Sequence, residues 1–211
     1  MDAASLKHEA WHWAMTLWHD RLNAASSGNF SLRAGDVVAV TPSGVRYDEL
    51  TEDRMVLVDL YGRILEGGKP SVETGMHLRI YRLRPEAGAV AHTHAPHTIA
   101  LAALGEPLPM IALEGLCAGS ALVPVTEGFQ PPGSAALAEA AAARLAENPS
   151  LCAVLLRSHG LLTLGKTARE AVSLAESLEV EAEAYLLALS RGTPARLSEE
   201  TRQAILHPPA R

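Results

Sequence analysis

Ala89-Val-Ala-His-Thr-His94 ends an apolar run on two histidines separated by one residue. Alternate residues of a β-strand point to the same side, so His92 and His94 project together and can share one metal ion. A third histidine, His159, follows a second apolar run, Cys152 to Leu156, in the segment Arg157-Ser-His-Gly160. Three neutral imidazoles around a divalent ion leave a coordination position open, the arrangement of catalytic rather than structural zinc sites. Soft thiolate clusters are absent, which points to zinc or another metal that favours imidazole. A carboxylate stands nearby in kind: Glu73, in Pro70-Ser-Val-Glu-Thr-Gly-Met-His77. At a helix start it has two readings. One is a residue favoured by the helix dipole; the other is a carboxylate that faces the metal, ligates it, and takes a carbon-bound proton when substrate displaces it.

Two loops rich in small and hydroxylic residues, Ser26-Ser-Gly-Asn29 and Thr41-Pro-Ser-Gly44, accompany these groups, with Ser71 as a third contributor. A phosphate needs oriented N–H and O–H donors more than net positive charge, and such loops supply them. Each loop taken alone reads as a plain turn.

The elements that must position these residues follow from periodicity. Trp11, Ala14, Met15, Trp18 and Leu22 recur at helical steps, which predicts an amphipathic helix over residues 3–22. Asn29 to Arg33 and Val37 to Val40 form a predicted hairpin around Ala34-Gly35-Asp36, and Met55 to Asp59 with Arg63 to Leu65 a second. Ser71 can N-cap a helix running to Leu83, Ala87 to His94 reads as a buried strand, and Pro96 to Leu104 as a helix stopped by Gly105. Ala121 to Val125 is β-prone; 134–146 is an alanine-rich helix; Cys152 to Leu156 and Leu161 to Leu164 are strands; Thr167 to Ser190 is a long helix. The interleaving predicts an α/β fold in αβα layers, with a mixed, mostly antiparallel central sheet flanked by helices.

At 211 residues the chain fits one domain, 1–211, with residues 191–211 as a C-terminal tail. Hydrophobic residues make up 48% and charged residues 20%, enough to build a core and too apolar for general disorder. Eighteen Lys and Arg against 24 Asp and Glu give a net charge of −6 without a basic run, so no nucleic-acid partner is expected. Cys117 and Cys152 form no metal or disulfide motif, no stretch approaches the roughly 18 apolar residues of a membrane span, and no signal segment opens the chain. A cytoplasmic protein with no membrane partner is the expectation.

Taken in order, Ser27-Gly-Asn-Phe-Ser31, Thr41-Pro-Ser-Gly44, Pro70-Ser71-x-Glu73 with His77, His92-Thr-His94 and Ser158-His-Gly160 resemble the motif series of the class II aldolase/adducin family. The resemblance runs from about residue 5 to about residue 190. It implies an αβα fold and a homotetramer with sites at subunit boundaries. It implies one divalent metal per subunit, most simply zinc, held by His92, His94 and His159, with Glu73 as the ligand that becomes the base. Gly28, Asn29, Ser43, Gly44 and Ser71 match the family's phosphate positions. The implied activity is cleavage of a small phosphorylated sugar, a short-chain ketose 1-phosphate similar to L-fuculose 1-phosphate, into dihydroxyacetone phosphate and an aldehyde. Methylthioribulose-1-phosphate dehydratases, pentulose-phosphate 4-epimerases and sugar-acid phosphate decarboxylases belong to the same family, as does the non-enzymatic adducin head. Retention of three histidines and Glu73 counts against that last reading. Three departures stand out. Val72 follows Ser71 where the aldolases carry a second serine; Leu113 and Glu114 stand where they present a tyrosine from a neighbouring subunit; and residues 191–211 contain no tyrosine. Glu114 is therefore the expected proton carrier opposite Glu73.

Overall fold

Val38 and Val40 face one way along their strand and Ala39 the other, and this period-two alternation, repeated across the sheet, divides the buried residues into two cores. A computed structural model describes residues 1–208. Seven strands make the central sheet: β1 (Asn29–Ala34), β2 (Val37–Val40), β3 (Val56–Asp59), β4 (Ile64–Glu66), β5 (Ala89–Thr93), β8 (Ala153–Leu156) and β9 (Gly160–Gly165). Their order is β4-β3-β2-β1-β5-β9-β8, and every neighbouring pair is antiparallel. Two short strands, β6 (Leu108–Pro109) and β7 (Leu122–Val123), pair as a separate ribbon. The β-prone run expected over Ala121 to Val125 is cut short at Pro124, and Val125 instead makes a lone parallel bridge to Leu155.

Helices cover both faces. On one lie α2 (Thr74–Leu83) and α4 (Ala135–Glu147), packed on Val38, Val40, Val56, Val58, Val90, Val154 and Leu162. The other carries α1 (Ala3–His19), α3 (Pro96–Leu104) and the 22-residue α5 (Ala168–Leu189), packed on Phe30, Leu32, Ala39, Ala91, Leu155 and Leu161. The three layers and the sheet match the fold class read from the sequence. Burying each large aliphatic side chain of these cores contributes about 1.5–3 kcal/mol, and the alternation directs alternate side chains to opposite cores.

Two local details differ from the periodicity. α2 begins at Thr74 and not at Ser71: residues 71–73 form a preceding turn in which the Ser71 carbonyl accepts from the Thr74 N–H at 3.1 Å and from the Thr74 hydroxyl at 2.7 Å. In the tail, Ser198 caps a helix, α6 (Glu199–Leu206), whose buried Arg202 donates from Nε to the Leu116 carbonyl at 2.8 Å. The last three residues of the expected tail, 209–211, lie outside the described residues. Among the described residues no helix is long and apolar enough to cross a membrane.

Candidate metal centre

The face shared by His92 and Val90 is the one that α2 covers, so the start of that helix brings Glu73 onto the end of β5. His92 is fully buried and its Nδ1 donates to the Leu161 carbonyl at 2.9 Å, which leaves Nε2 as a bare lone pair. That lone pair lies 2.9 Å from Nε2 of His94 and 3.3 Å from Nε2 of His159. Glu73 closes the group, with Oε2 3.3 Å from His92 Nε2 and Oε1 3.5 Å from His159 Nε2. One ligand atom from each of the four side chains falls within 4.8 Å of the others.

His94 lies one residue past the end of β5. Its N–H donates to the Leu22 carbonyl at 3.0 Å and to Asn23 Oδ1 at 3.1 Å, while Asn23 donates from Nδ2 to the Tyr47 hydroxyl. Asn23 is a residue that sequence reasoning did not find; it lies in no periodic pattern. Gly28 explains itself here, since its φ is +71° and a Cβ would fall 2.1 Å from Asn23 Oδ1. His159 comes from the three-residue turn between β8 and β9. Gly160, next to it, packs so closely on β5 that a Cβ would lie 2.2 Å from the Thr93 carbonyl oxygen. The glycine lets the β8–β9 turn bring its histidine to the other two.

Burial, reinforced by the neighbouring imidazoles, pushes His92 and His94 down to about 3, and burial likewise lowers His159. All three are neutral near pH 7, the form that ligates metals. Glu73 is 4% exposed; its Oε2 accepts from Asn29 Nδ2 at 2.8 Å, yet its buried Oε1 has no hydrogen-bond partner. Three Nε2 atoms converging on one point beside an unpartnered carboxyl oxygen, with His159 Nδ1 also buried without a partner, form an arrangement that one divalent cation would satisfy. The donor set of imidazole and carboxylate fits such an ion.

The sequence-predicted phosphate residues come to the same place. Gly28, Asn29, Ser43, Gly44 and Ser71 line one cleft of about 160 Å³ together with Val72, Glu73, His94 and His159. A bridge between Pro42 and Pro70 clamps the two loops, with the Ser71 N–H donating to the Thr41 carbonyl and the Ser43 N–H to the Lys69 carbonyl, both at 2.9 Å. Asn29 lines the cleft and also bonds Glu73 and His77 through its amide. Glu114 is not brought to the cleft within this chain: it is the second residue of the 3₁₀ turn Leu113–Ala118 and is exposed, as is Leu113 at 60%. That turn is held from behind by Glu181, a buried carboxyl on α5 that accepts from the N–H groups of Ile111, Ala112 and Gly115. A larger cavity of about 540 Å³, lined by residues of α5 and α6, contains none of the histidines.

An αβα sandwich with a three-histidine, one-glutamate centre at the end of its middle strands is the frame of the class II aldolases. Residues 9–186 match the family described as Class II Aldolase and Adducin N-terminal domain, and the chain belongs to that family. Among its relatives is the L-fuculose phosphate aldolase of Haemophilus influenzae, 37% identical over 186 residues, covering 88% of this chain and 84% of that one. A 5-methylthioribulose-1-phosphate/5-deoxyribulose-1-phosphate aldolase of Rhodospirillum rubrum is 35% identical over 185 residues, covering 88% of this chain and 82% of the relative. The solved structure of an L-fuculose 1-phosphate aldolase superposes with a TM-score of 0.90 at 31% identity, covering 97% of this chain and 96% of the other.

Proposed function

We propose that this protein is a metal-dependent aldolase that cleaves a short-chain ketose 1-phosphate, similar to L-fuculose 1-phosphate, into dihydroxyacetone phosphate and an aldehyde. The reading includes one zinc ion per subunit and a homotetramer whose sites lie at subunit boundaries. The observation that carries it is the convergence of Glu73, His92, His94 and His159 beside the clamped serine loops. Zinc suits a donor set of imidazole and carboxylate without thiolate, and when bound it supplies Lewis-acid polarisation of the substrate's carbonyl and hydroxyl oxygens.

The chain's own groups do the rest. Ser43 and Ser71, with the backbone around Gly28 and Gly44, hold the phosphate; the Ser71 oxygen accepts from the Glu73 N–H at 3.3 Å, which leaves its hydroxyl hydrogen to donate to the ligand. Glu73 takes up a proton from solvent before cleavage; as the C3–C4 bond breaks, its electron pair passes into the enediolate of dihydroxyacetone phosphate, and Glu73 gives that proton to the same carbon and returns to the carboxylate. Glu114, exposed on its turn beside Leu113, the residue nearest the family's tyrosine position, reaches the site of the adjoining subunit and takes the proton of the C4 hydroxyl. The Rhodospirillum relative favours a second substrate for the same chemistry, a 5-deoxy or 5-methylthio pentulose 1-phosphate.

A panel of L-fuculose, 5-deoxyribulose and 5-methylthioribulose 1-phosphates, assayed for released dihydroxyacetone phosphate and separately for loss of water, tests the reaction. Glu73→Gln should lower the rate at least about a hundredfold with binding largely retained. Loss of water without dihydroxyacetone phosphate would replace the aldolase reading by a dehydratase one, and near-normal turnover of Glu73→Gln would assign the proton transfer to another group.

A further inference from the structure

Glu73, His77 and Tyr81 recur at steps of four, so they share one face of the α2 segment, and Asn29 and Ser31 share the facing side of β1. These five side chains interlock. Glu73 Oε2 accepts from Asn29 Nδ2 at 2.8 Å; Asn29 Oδ1 meets His77 Nε2 at 2.6 Å; His77 Nδ1 meets Ser31 Oγ at 2.7 Å; Ser31 Oγ meets the Tyr81 hydroxyl at 2.8 Å. The exposure of each is 4% or less. A run of polar groups this deep in the core between helix and sheet contributes nothing to hydrophobic packing, so its members are held by their bonds to one another.

The direction of the run is determined by its ends. The Glu73 carboxylate only accepts, so the Asn29 amide nitrogen donates to it and the Asn29 oxygen is left as acceptor. His77 must then carry its proton on Nε2. Complete burial disfavours a charged ring, and a neutral ring with its one hydrogen on Nε2 presents Nδ1 as acceptor to the Ser31 hydroxyl. With the Ser31 hydrogen given to His77, the single Tyr81 hydroxyl hydrogen is shared between the Ser31 carbonyl oxygen at 3.0 Å and Ser31 Oγ at 2.8 Å. From Ser31 onward every donor points towards Glu73. The bond it receives engages Oε2 alone, which leaves Oε1, the oxygen without a hydrogen-bond partner, turned towards His159.

We propose that His77 is a positioning residue: held by Ser31 and Tyr81, it fixes the Asn29 amide so that Asn29 grips one oxygen of Glu73 and presents the other to the substrate. This rests on the reading of Glu73 as the base. The network therefore acts on proton transfer through Glu73, while the three histidines, none of them a member of it, remain to hold the metal, and Ser43 and Ser71 to hold the phosphate.

The test combines two readouts. In wild-type protein, ¹⁵N NMR of the His77 ring at neutral pH should show the neutral Nε2–H form; a neutral Nδ1–H form overturns the proposal whatever the enzyme does. Exchange of the carbon-bound proton of dihydroxyacetone phosphate in D₂O then reads the base directly. His77→Phe keeps the ring volume but removes donor and acceptor, and should slow exchange by about 10- to 100-fold with KM and bound zinc unchanged. His77→Gln, which offers one donor and one acceptor, should recover a large part of that loss. Exchange within twofold of wild type in folded His77→Phe, or loss of zinc in parallel with rate, overturns the positioning role. If wild type itself exchanges no proton, the reading of Glu73 as base fails, and the tautomer alone decides the network.

Discussion

His92, His94 and His159 differ in how firmly they are held, although each turns Nε2 to the same point. His92 is fixed by its bond to Leu161 and by complete burial, His94 by the bonds of its N–H to the Leu22 carbonyl and the Asn23 side chain, and His159 by a turn alone. Removal of His94 should therefore lower metal content without unfolding the chain, because the site caps the sheet and does not fill its core. Metal analysis of His94→Ala against wild type checks this, and an unchanged content would sink the assignment. Acid should act on the same layer through His77. Its usual value of 6.5 applies to the unfolded chain and about 3 to the folded one, so between those pH values the unfolded chain binds a proton that the folded chain does not. The stability is present above pH 6.5 and is lost as pH falls below it. His77→Gln should flatten that loss by up to about 1.4 kcal/mol per pH unit, measured as the difference between denaturant melts of variant and wild type at pH 7, 6 and 5.

Elements bring these residues together through faces and close approaches. The period-two pattern of β1 and β5 and the period-four pattern of the α2 segment put Asn29, Ser31, His92, Glu73 and His77 into one layer. Gly160 performs the matching task for the β8–β9 hairpin. Gly160→Ala places a methyl carbon against the Thr93 carbonyl, which β5 cannot yield without moving His92. The expected result is a loss of about 1–3 kcal/mol in stability with weaker metal binding, read by denaturant melts and metal titration. A variant as stable and as tightly metallated as wild type would show that the hairpin has room to shift. The tail belongs at this scale too: α6 docks through the buried Arg202 on the turn that begins with Leu113, so the end of the chain braces the segment carrying Glu114.

The whole molecule leaves Glu114 and Leu113 in solvent, away from the cleft that the chain itself forms. If Glu114 serves an adjoining subunit, Glu73→Gln and Glu114→Gln subunits complement each other. Each variant alone should be nearly inactive, and an equal mixture assembled together should recover about a quarter of wild-type activity, the chance that an intact Glu73 meets an intact Glu114 across a ring interface. A mixture no more active than its parts would place the proton carrier elsewhere, and a monomeric mass under active conditions would remove the shared site altogether.

The amino-acid sequence by itself determined the alternation of strands, the hairpins, the long helices and the candidate metal-ligating set, because periodicity and short spacings are local properties. His92-Thr-His94 is legible for that reason, and so are the glycine-bearing loops. It could not show that Asn29 bonds Glu73 and His77 or that Asn23 holds His94, since each depends on a partner more than 40 residues away along the chain. Only the tertiary structure decided which carboxyl oxygen is left without a partner and which way the buried donors run. Hydrogen-bond direction is settled by closing every donor and acceptor in a dry core at once, and no stretch of sequence contains the whole set.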